Sequence, residues 1–235
     1  MIAEYMSREL AKQGSREFVF IARNKEKLKK MSADFSIRNP GTTLTQILLT
    51  DKSPEVIEKL VTKAYAGKKF DLVVSAIGDL GNEFELREKR EEIPAFIETN
   101  ASLHVSFVEA VIARAQNLGA CTIAVFGSVA GDRGRSQNNF YGASKAFLDS
   151  YVKGLRQRLV KSPITVAIIK PGPVATPMTA HLTNRAGLAN PEKVAREIVD
   201  GLNKGKASIY TPKFWRIIMF IVKLIPSKIF NQLKF

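Results

Sequence analysis

Apolar residues recur along this chain in two alternating rhythms. Ile2, Met6 and Leu10 fall on one helical face, with Glu4, Arg8 and Lys12 elsewhere, which predicts a helix over 2–13. Gly14 closes it as a C-cap. Phe18 to Ala22 is an unbroken apolar run, the mark of a parallel strand buried on both faces. Arg23 and Asn24 follow, then a helix over 25–35. Thr43 to Leu49 reads as a strand ending in Thr50 and Asp51. Ser53 and Pro54 supply a cap and a first-turn proline for a helix running to about residue 66.

The same alternation continues. Asp71 to Ala76 is a strand leaving through Ile77 and Gly78, and residues 93–116 form one long apolar-periodic helix carrying Asn100 and His104. Cys121 to Phe126 is a strand that opens onto Gly127-Ser128-Val129-Ala130-Gly131. A polar loop over 132–139 precedes a helix holding Tyr141 and Lys145. Thr165 to Ile169 is a strand followed by Pro171-Gly172-Pro173-Val174-Ala175-Thr176. A helix over 191–203 and a short strand over 207–210 complete the series. One helix per crossover between buried strands predicts an α/β fold, a Rossmann-like doubly wound parallel sheet in a single domain over 1–212. Ligands of such sheets bind at the carboxyl ends of the strands. Arg23, Asp51, Ser75 to Gly78, Ser128 and Pro171 to Thr176 all fall at such ends.

Composition narrows the class. Apolar content of 45% with 25% charged residues describes a globular chain and excludes disorder. The single cysteine, Cys121, excludes an intramolecular disulfide and a cysteine metal cluster, and fits a reducing, cytoplasmic setting. A formal charge of +14 points to anionic partners such as a phosphorylated cofactor or acidic lipid, or to solubility alone. No nucleic-acid-binding motif accompanies it. There is no signal peptide and no apolar run long enough to span a bilayer.

Tyr141 and Lys145 stand four residues apart, on one face of their helix. A tyrosine with a pKa of about 10 is a poor acid or base at neutral pH, and a neighbouring ammonium would lower it. The pair alone also fits a packed tyrosine and a solvated lysine. The residues around it decide. Asn100, Ser128, Tyr141 and Lys145, with 13 positions from Ser128 to Tyr141, resemble the tetrad of the short-chain dehydrogenase/reductase family. The likeness covers nearly all of residues 1–212.

That resemblance implies roles. Ser128 would hydrogen-bond the substrate carbonyl and Tyr141 would protonate it as hydride arrives. Lys145 would lower the tyrosine pKa and, with Tyr141, hold the cofactor ribose. Asn100 would hold a relay water. Asp51 would contact adenine, although a helix N-terminal carboxylate explains it too. Arg23 stands where a carboxylate would bind an NAD ribose, which favours NADP(H) over NAD(H). Gly78 would allow close backbone approach, and Pro171, Gly172 and Thr176 would border the nicotinamide. The segment Ser75-Ala76-Ile77-Gly78 departs from the family's Asn-Asn-Ala-Gly.

The larger departure is at the front. The family begins with a strand and a Gly-rich turn that cradles the pyrophosphate. This sequence begins inside the helix that follows them, so two strands are expected to lose their neighbours in the sheet. A fragment, a wrongly chosen start and a degenerate protein all explain this. The matching alternative to an enzyme is a non-catalytic remnant or interaction protein without nucleotide binding.

Segments 128–135, 177–182 and 225–230 narrow the likeness to the branch containing decaprenylphosphoryl-2-keto-ribose reductase. It implies a membrane-bound, lipid-linked keto-sugar substrate. The tail over 213–235 adds its own signal. Phe214 to Ile225 is densely apolar, with Lys213, Arg216, Lys223, Lys228 and Lys234 around it. Such a segment suits peripheral contact with an anionic membrane, a helix packed on the core, or a homo-oligomer interface.

Overall fold

The computed structural model describes residues 1–180 and 187–233. His181 and Leu182, from the segment 177–182, and Lys234 lie outside the described residues.

Helices and strands alternate as the apolar pattern requires. The order is α1 (Ile2–Lys12), β1 (Glu17–Ala22), α2 (Lys25–Arg38), β2 (Thr43–Leu48), α3 (Pro54–Tyr65) and β3 (Leu72–Ser75). Next come α4 (Glu83–Glu88), α5 (Ile93–Ile97), α6 (Leu103–Ala115), β4 (Cys121–Phe126) and α7 (Asn139–Arg158). The chain continues through β5 (Ile164–Pro171), α8 (Pro191–Asn203), β6 (Ser208–Thr211), α9 (Trp215–Leu224) and α10 (Ser227–Phe230).

All strand pairs are parallel. β3, β4, β5 and β6 form one sheet in that order, with Leu72 opposite Thr122, Cys121 opposite Ile164 and Ile168 opposite Ser208. Its two faces are covered in period two along the strands. Ile123, Val125, Val166 and Ile168 face one way, onto Val108 and Val111 of α6 and Leu148 and Val152 of α7. Ala124, Phe126 and Ile169 face the other, onto Val194 and Ile198 of α8 and Met6 of α1. Helices on both faces make this the doubly wound Rossmann-like fold expected from the sequence.

β1 and β2 form a separate two-stranded sheet, with Glu17 opposite Thr43. Among the described residues β1 pairs only with β2, and β3 only with β4. Val19 and Ile21 of β1 and Val73 of β3 nevertheless pack on the same core cluster. The sheet is therefore interrupted between β1 and β3, at the two strands expected to lose neighbours. Phe18, Phe20 and Phe35 hold the β1 side together, with ring centroids 4.8 Å apart for Phe18–Phe35 and 5.0 Å for Phe20–Phe35.

Two elements differ from the sequence expectation. The single helix expected over 93–116 is α5 and α6 joined by a π-helical turn, Glu98–Ser102. The short helix α4 was not expected; Asn82 caps it by accepting from the backbone N–H of Phe84 and Glu85.

Candidate active site

The candidate acid–base residues come together near the carboxyl ends of β3 and β4. Their placement begins with the start of α7. Glu83 of α4 is buried, and its carboxylate accepts from the backbone N–H of Phe140 at 3.2 Å. A carboxylate there offsets the positive end of the helix that carries Tyr141 and Lys145. Ser128 follows β4 in an extended conformation, and its Oγ accepts from Ala130 N at 3.1 Å. Gly131 lets this loop lie on α7. A Cβ there would come within 2.6 Å of the Lys145 backbone.

Lys145 is 3% exposed. Its ammonium donates to the carbonyl oxygens of Phe126 at 3.2 Å and Asn100 at 3.4 Å, and sits 5.6 Å from the Tyr141 ring centroid. No carboxylate pairs with it in the described structure, and burial pushes its pKa down to about 7. Burial pushes the Tyr141 phenol up, with the Ser128 hydroxyl pulling it partly back. Burial is the first cause of both shifts, where the resemblance implies that the lysine depresses the tyrosine. Here desolvation dominates both groups.

Asn100 sits in the π-helical turn, fully buried. Such turns break the α-helical ladder and cluster at functional sites. The Asn100 side chain donates from Nδ2 to Phe96 O at 3.1 Å and accepts at Oδ1 from Asp79 N at 3.0 Å. Gly78 lies between them and the lysine. A Cβ on it would stand 3.3 Å from Asn100 Oδ1 and 3.6 Å from Lys145 Nζ.

His104 is the residue whose role the sequence did not disclose. It is fully buried, with Nε2 2.7 Å from Ile77 O and Nδ1 2.8 Å from Ser75 Oγ. A carbonyl can only accept, so Nε2 carries the proton and Nδ1 accepts from the serine hydroxyl. Burial, then the Lys145 charge, push its pKa down to about 3, so it is neutral. Ser75 and His104 thus hold the segment in which this chain lacks the family's two asparagines. The only sequence signal was a histidine four residues, one helical turn, after Asn100.

Among the described residues the remaining cofactor candidates share no hydrogen bond with this cluster. Arg23 and Asp51 are exposed beyond β1 and β2. Asp51 accepts from Ser53 N at 2.7 Å, as a helix-start carboxylate does, and its hydrogen bonds to Ser53 hold its pKa low. Gly172 is hydrogen-bonded to Thr211 O at 2.9 Å. Its missing side chain is filled by Trp215 of α9, whose Nε1 would lie 2.0 Å from a Cβ. Thr176 N donates to Thr179 Oγ1 at 3.1 Å.

A buried ion network ties these loops together. Lys170 at the end of β5 is 4% exposed and pairs with Asp132 and Asp149, both at 2.6 Å. Asp132 also accepts from Tyr210 Oη at 2.7 Å. Arg133 donates to the carbonyls of Val222 at 2.7 Å and Ile225 at 2.6 Å, and its guanidinium lies 3.9 Å from the Phe230 ring centroid. The tail therefore rests on the loop after Ser128 and on Gly172.

The cluster fits one end of a nicotinamide cofactor. Lys145 has two of its three N–H groups accepted by carbonyls and a third free for a ribose hydroxyl, beside a glycine that keeps the backbone open. No group of His, Cys, Asp or Glu among the described residues is arranged to hold a metal ion.

Residues 2–187 match the family model described as short chain dehydrogenase, and the chain belongs to that family. It is 27% identical over 227 residues to an uncharacterized oxidoreductase of Streptomyces coelicolor, spanning 97% of this chain and 89% of that protein. It is 31% identical over 145 residues to the Escherichia coli 3-oxoacyl-acyl-carrier-protein reductase FabG, 60% of this chain and 59% of that one. Among solved structures, actinorhodin polyketide ketoreductase with NADPH has a TM-score of 0.76 at 23% identity, covering 89% of this chain and 91% of its own. A short-chain dehydrogenase of Sphingobium yanoikuyae in complex with NADPH has a TM-score of 0.79 at 18% identity, covering 96% and 92%. These structural likenesses bear on the fold. None of these relatives carries the name of a reductase for lipid-linked sugars.

Proposed function

We propose that this chain reduces a ketone with NADP(H). The observation that carries the reading is the buried, hydrogen-bonded pair of Lys145 and Asn100 beside the half-buried Tyr141 and Ser128. The bound cofactor would supply hydride. Ser128, whose hydroxyl pulls the Tyr141 phenol's pKa partly back, would address the same carbonyl oxygen as Tyr141. Tyr141 gives that oxygen its proton as negative charge builds there. Lys145 orients the ribose hydroxyls and, through its bond to the Asn100 carbonyl, lies on a path along which Tyr141 is reprotonated. NADP(H) is favoured over NAD(H) by Arg23 and by the NADPH-bound members among the similar structures.

The substrate we infer is hydrophobic and carries an anionic group, as a keto-sugar on a polyprenyl phosphate does. Two similar proteins are named as a 3-oxoacyl reductase and a polyketide ketoreductase, which supports a ketone in general. Arg135 supports the anion. It falls between Ser128 and Tyr141 in the sequence, burial lowers its pKa, and its buried Nε has no partner in the described structure.

Full-length protein with NADPH and a panel of ketones tests this. Tyr141→Phe should abolish turnover by about a thousandfold while NADPH fluorescence titration is unchanged, because only the proton donor is lost. If the unaltered chain binds neither NADPH nor NADH, the reductase reading fails and the non-catalytic alternative stands. Arg135→Ala should raise KM for a phosphate-bearing ketone and leave a neutral one unaffected.

A further inference from the structure

α9 is apolar on two sides. Trp215, Met219 and Val222, at helical spacing, face the protein, and Met219 is fully buried. Phe214, Ile217, Ile221 and Leu224 follow the same spacing on the opposite side and stand 53%, 66%, 56% and 66% exposed. Phe220 beside them and Ile229 and Leu233 beyond are exposed as well. A helix with two apolar stripes, only one of them covered, presents a surface built for a second contact.

The surroundings indicate what that contact is. Residues 213–233 hold four basic residues, Lys213, Arg216, Lys223 and Lys228, and not one Asp or Glu. Lys213, Arg216 and Lys223 run along one flank of the exposed stripe at spacings of three and seven. Lys213 and Arg216 are exposed and long enough to reach past it, while Lys223, exposed in part, lies 3.7 Å from Asp132. A protein groove for this helix would need its own acidic rim. An anionic lipid surface supplies apolar depth and negative charge together, and α9 at 10 residues is too short to do more than lie in it. Among the described residues no helix is long and apolar enough to cross a membrane.

We propose that the exposed Phe214–Leu224 stripe of α9, with its basic flank, is a docking surface for anionic phospholipid bilayers. The docked helix would set the loops around Ser128 and Gly172 close to the bilayer, since Arg133 holds its carboxyl end and Trp215 packs on Gly172. That second statement rests on the reductase reading; the docking does not.

Co-sedimentation of the full chain with vesicles separates the two. The protein should pellet with phosphatidylcholine vesicles containing one third phosphatidylglycerol, and far less with pure phosphatidylcholine. High salt should weaken the binding. The double variant I217E/I221E, at exposed positions, should lower the partition coefficient at least about tenfold with circular dichroism unchanged. K213E/K228E should weaken binding to anionic vesicles alone. Equal binding to both vesicle types, no binding to either, or full binding by I217E/I221E would overturn the proposal. So would a dimer in size-exclusion chromatography that I217E/I221E dissolves, which would make this stripe a contact between copies. None of these readouts involves turnover, so an inactive protein that still pellets refutes the reductase reading only.

Discussion

The two sheets of this protein obey the same sequence rules and arrive at different degrees of completion. In the four-stranded sheet, Ile123, Ala124 and Val125 of β4 are sealed between helices, with ladder partners on both sides. In the two-stranded sheet, β1 has one buried residue, Phe20, and one paired edge. The candidate acid–base cluster stands on the first sheet, where its parts have positioning partners: Lys145 two carbonyls, Asn100 two backbone groups, α7 a capping carboxylate. Arg23 and Asp51 stand on the second, exposed. Strand completion and site definition go together, because a side chain is placed only as well as the backbone beneath it.

Substitutions can sharpen or break this contrast. The largest effect is expected from Ile168→Ala, which empties a site that is 1% exposed in β5. It should cost about 2 to 5 kcal/mol in urea unfolding, against about 1 kcal/mol for Val19→Ala in half-buried β1. Equal losses would show that β1 is as firmly held as β5. Gly172→Ala comes next. The new methyl must displace the Trp215 indole, costing about 1 to 3 kcal/mol and opening α9 to limited proteolysis.

Histidine titration gives a smaller effect with a definite sign. His104 is held at about 3 in the fold against an ordinary 6.5, so between those values the unfolded chain binds the extra proton. Stability should therefore fall as pH drops below 6.5, by about 2 kcal/mol at about pH 5, and His104→Asn should flatten that slope. Lys145, held at about 7 against 10.5, acts in the same direction at higher pH, so stability should rise from pH 7 toward 10. A slope unchanged by His104→Asn would assign the acid sensitivity elsewhere. The smallest effect is expected at Lys68–Glu17, the exposed 2.8 Å pair beside β1; Lys68→Ala should cost below about 0.5 kcal/mol.

Much of this was legible in the residues. The helix expected over 191–203 is the one observed, and each strand core lies within a residue or two of its expected position. Buried parallel strands announce themselves by apolar runs, and helix starts by caps. What the pattern hid depends on distant partners. Glu83 and Arg87 make α4 an anchor only because Glu83 accepts from Phe140 N and Arg87 donates to Ser136 O across the fold. The π-helical turn at Asn100 leaves apolar periodicity intact and shows only in the hydrogen bonds. Lys170 lengthens β5 beyond Ile169, against its charge, because Asp132 and Asp149 neutralise it. The balance at Tyr141 and Lys145 was hidden too, since spacing reports proximity and not desolvation.

The three backbone carbonyls that Arg133 gathers from Val222, Lys223 and Ile225 bear on how this protein can be handled. A chain trimmed at Pro212 to improve its solubility would leave that guanidinium with no carbonyls and no Phe230 ring beneath it. It would also strip Lys223 from Asp132, a loop away from Ser128. The greasy end, inconvenient at the bench, is a splint for the loop after Ser128, and blunting its outer face by substitution preserves what cutting it away would lose.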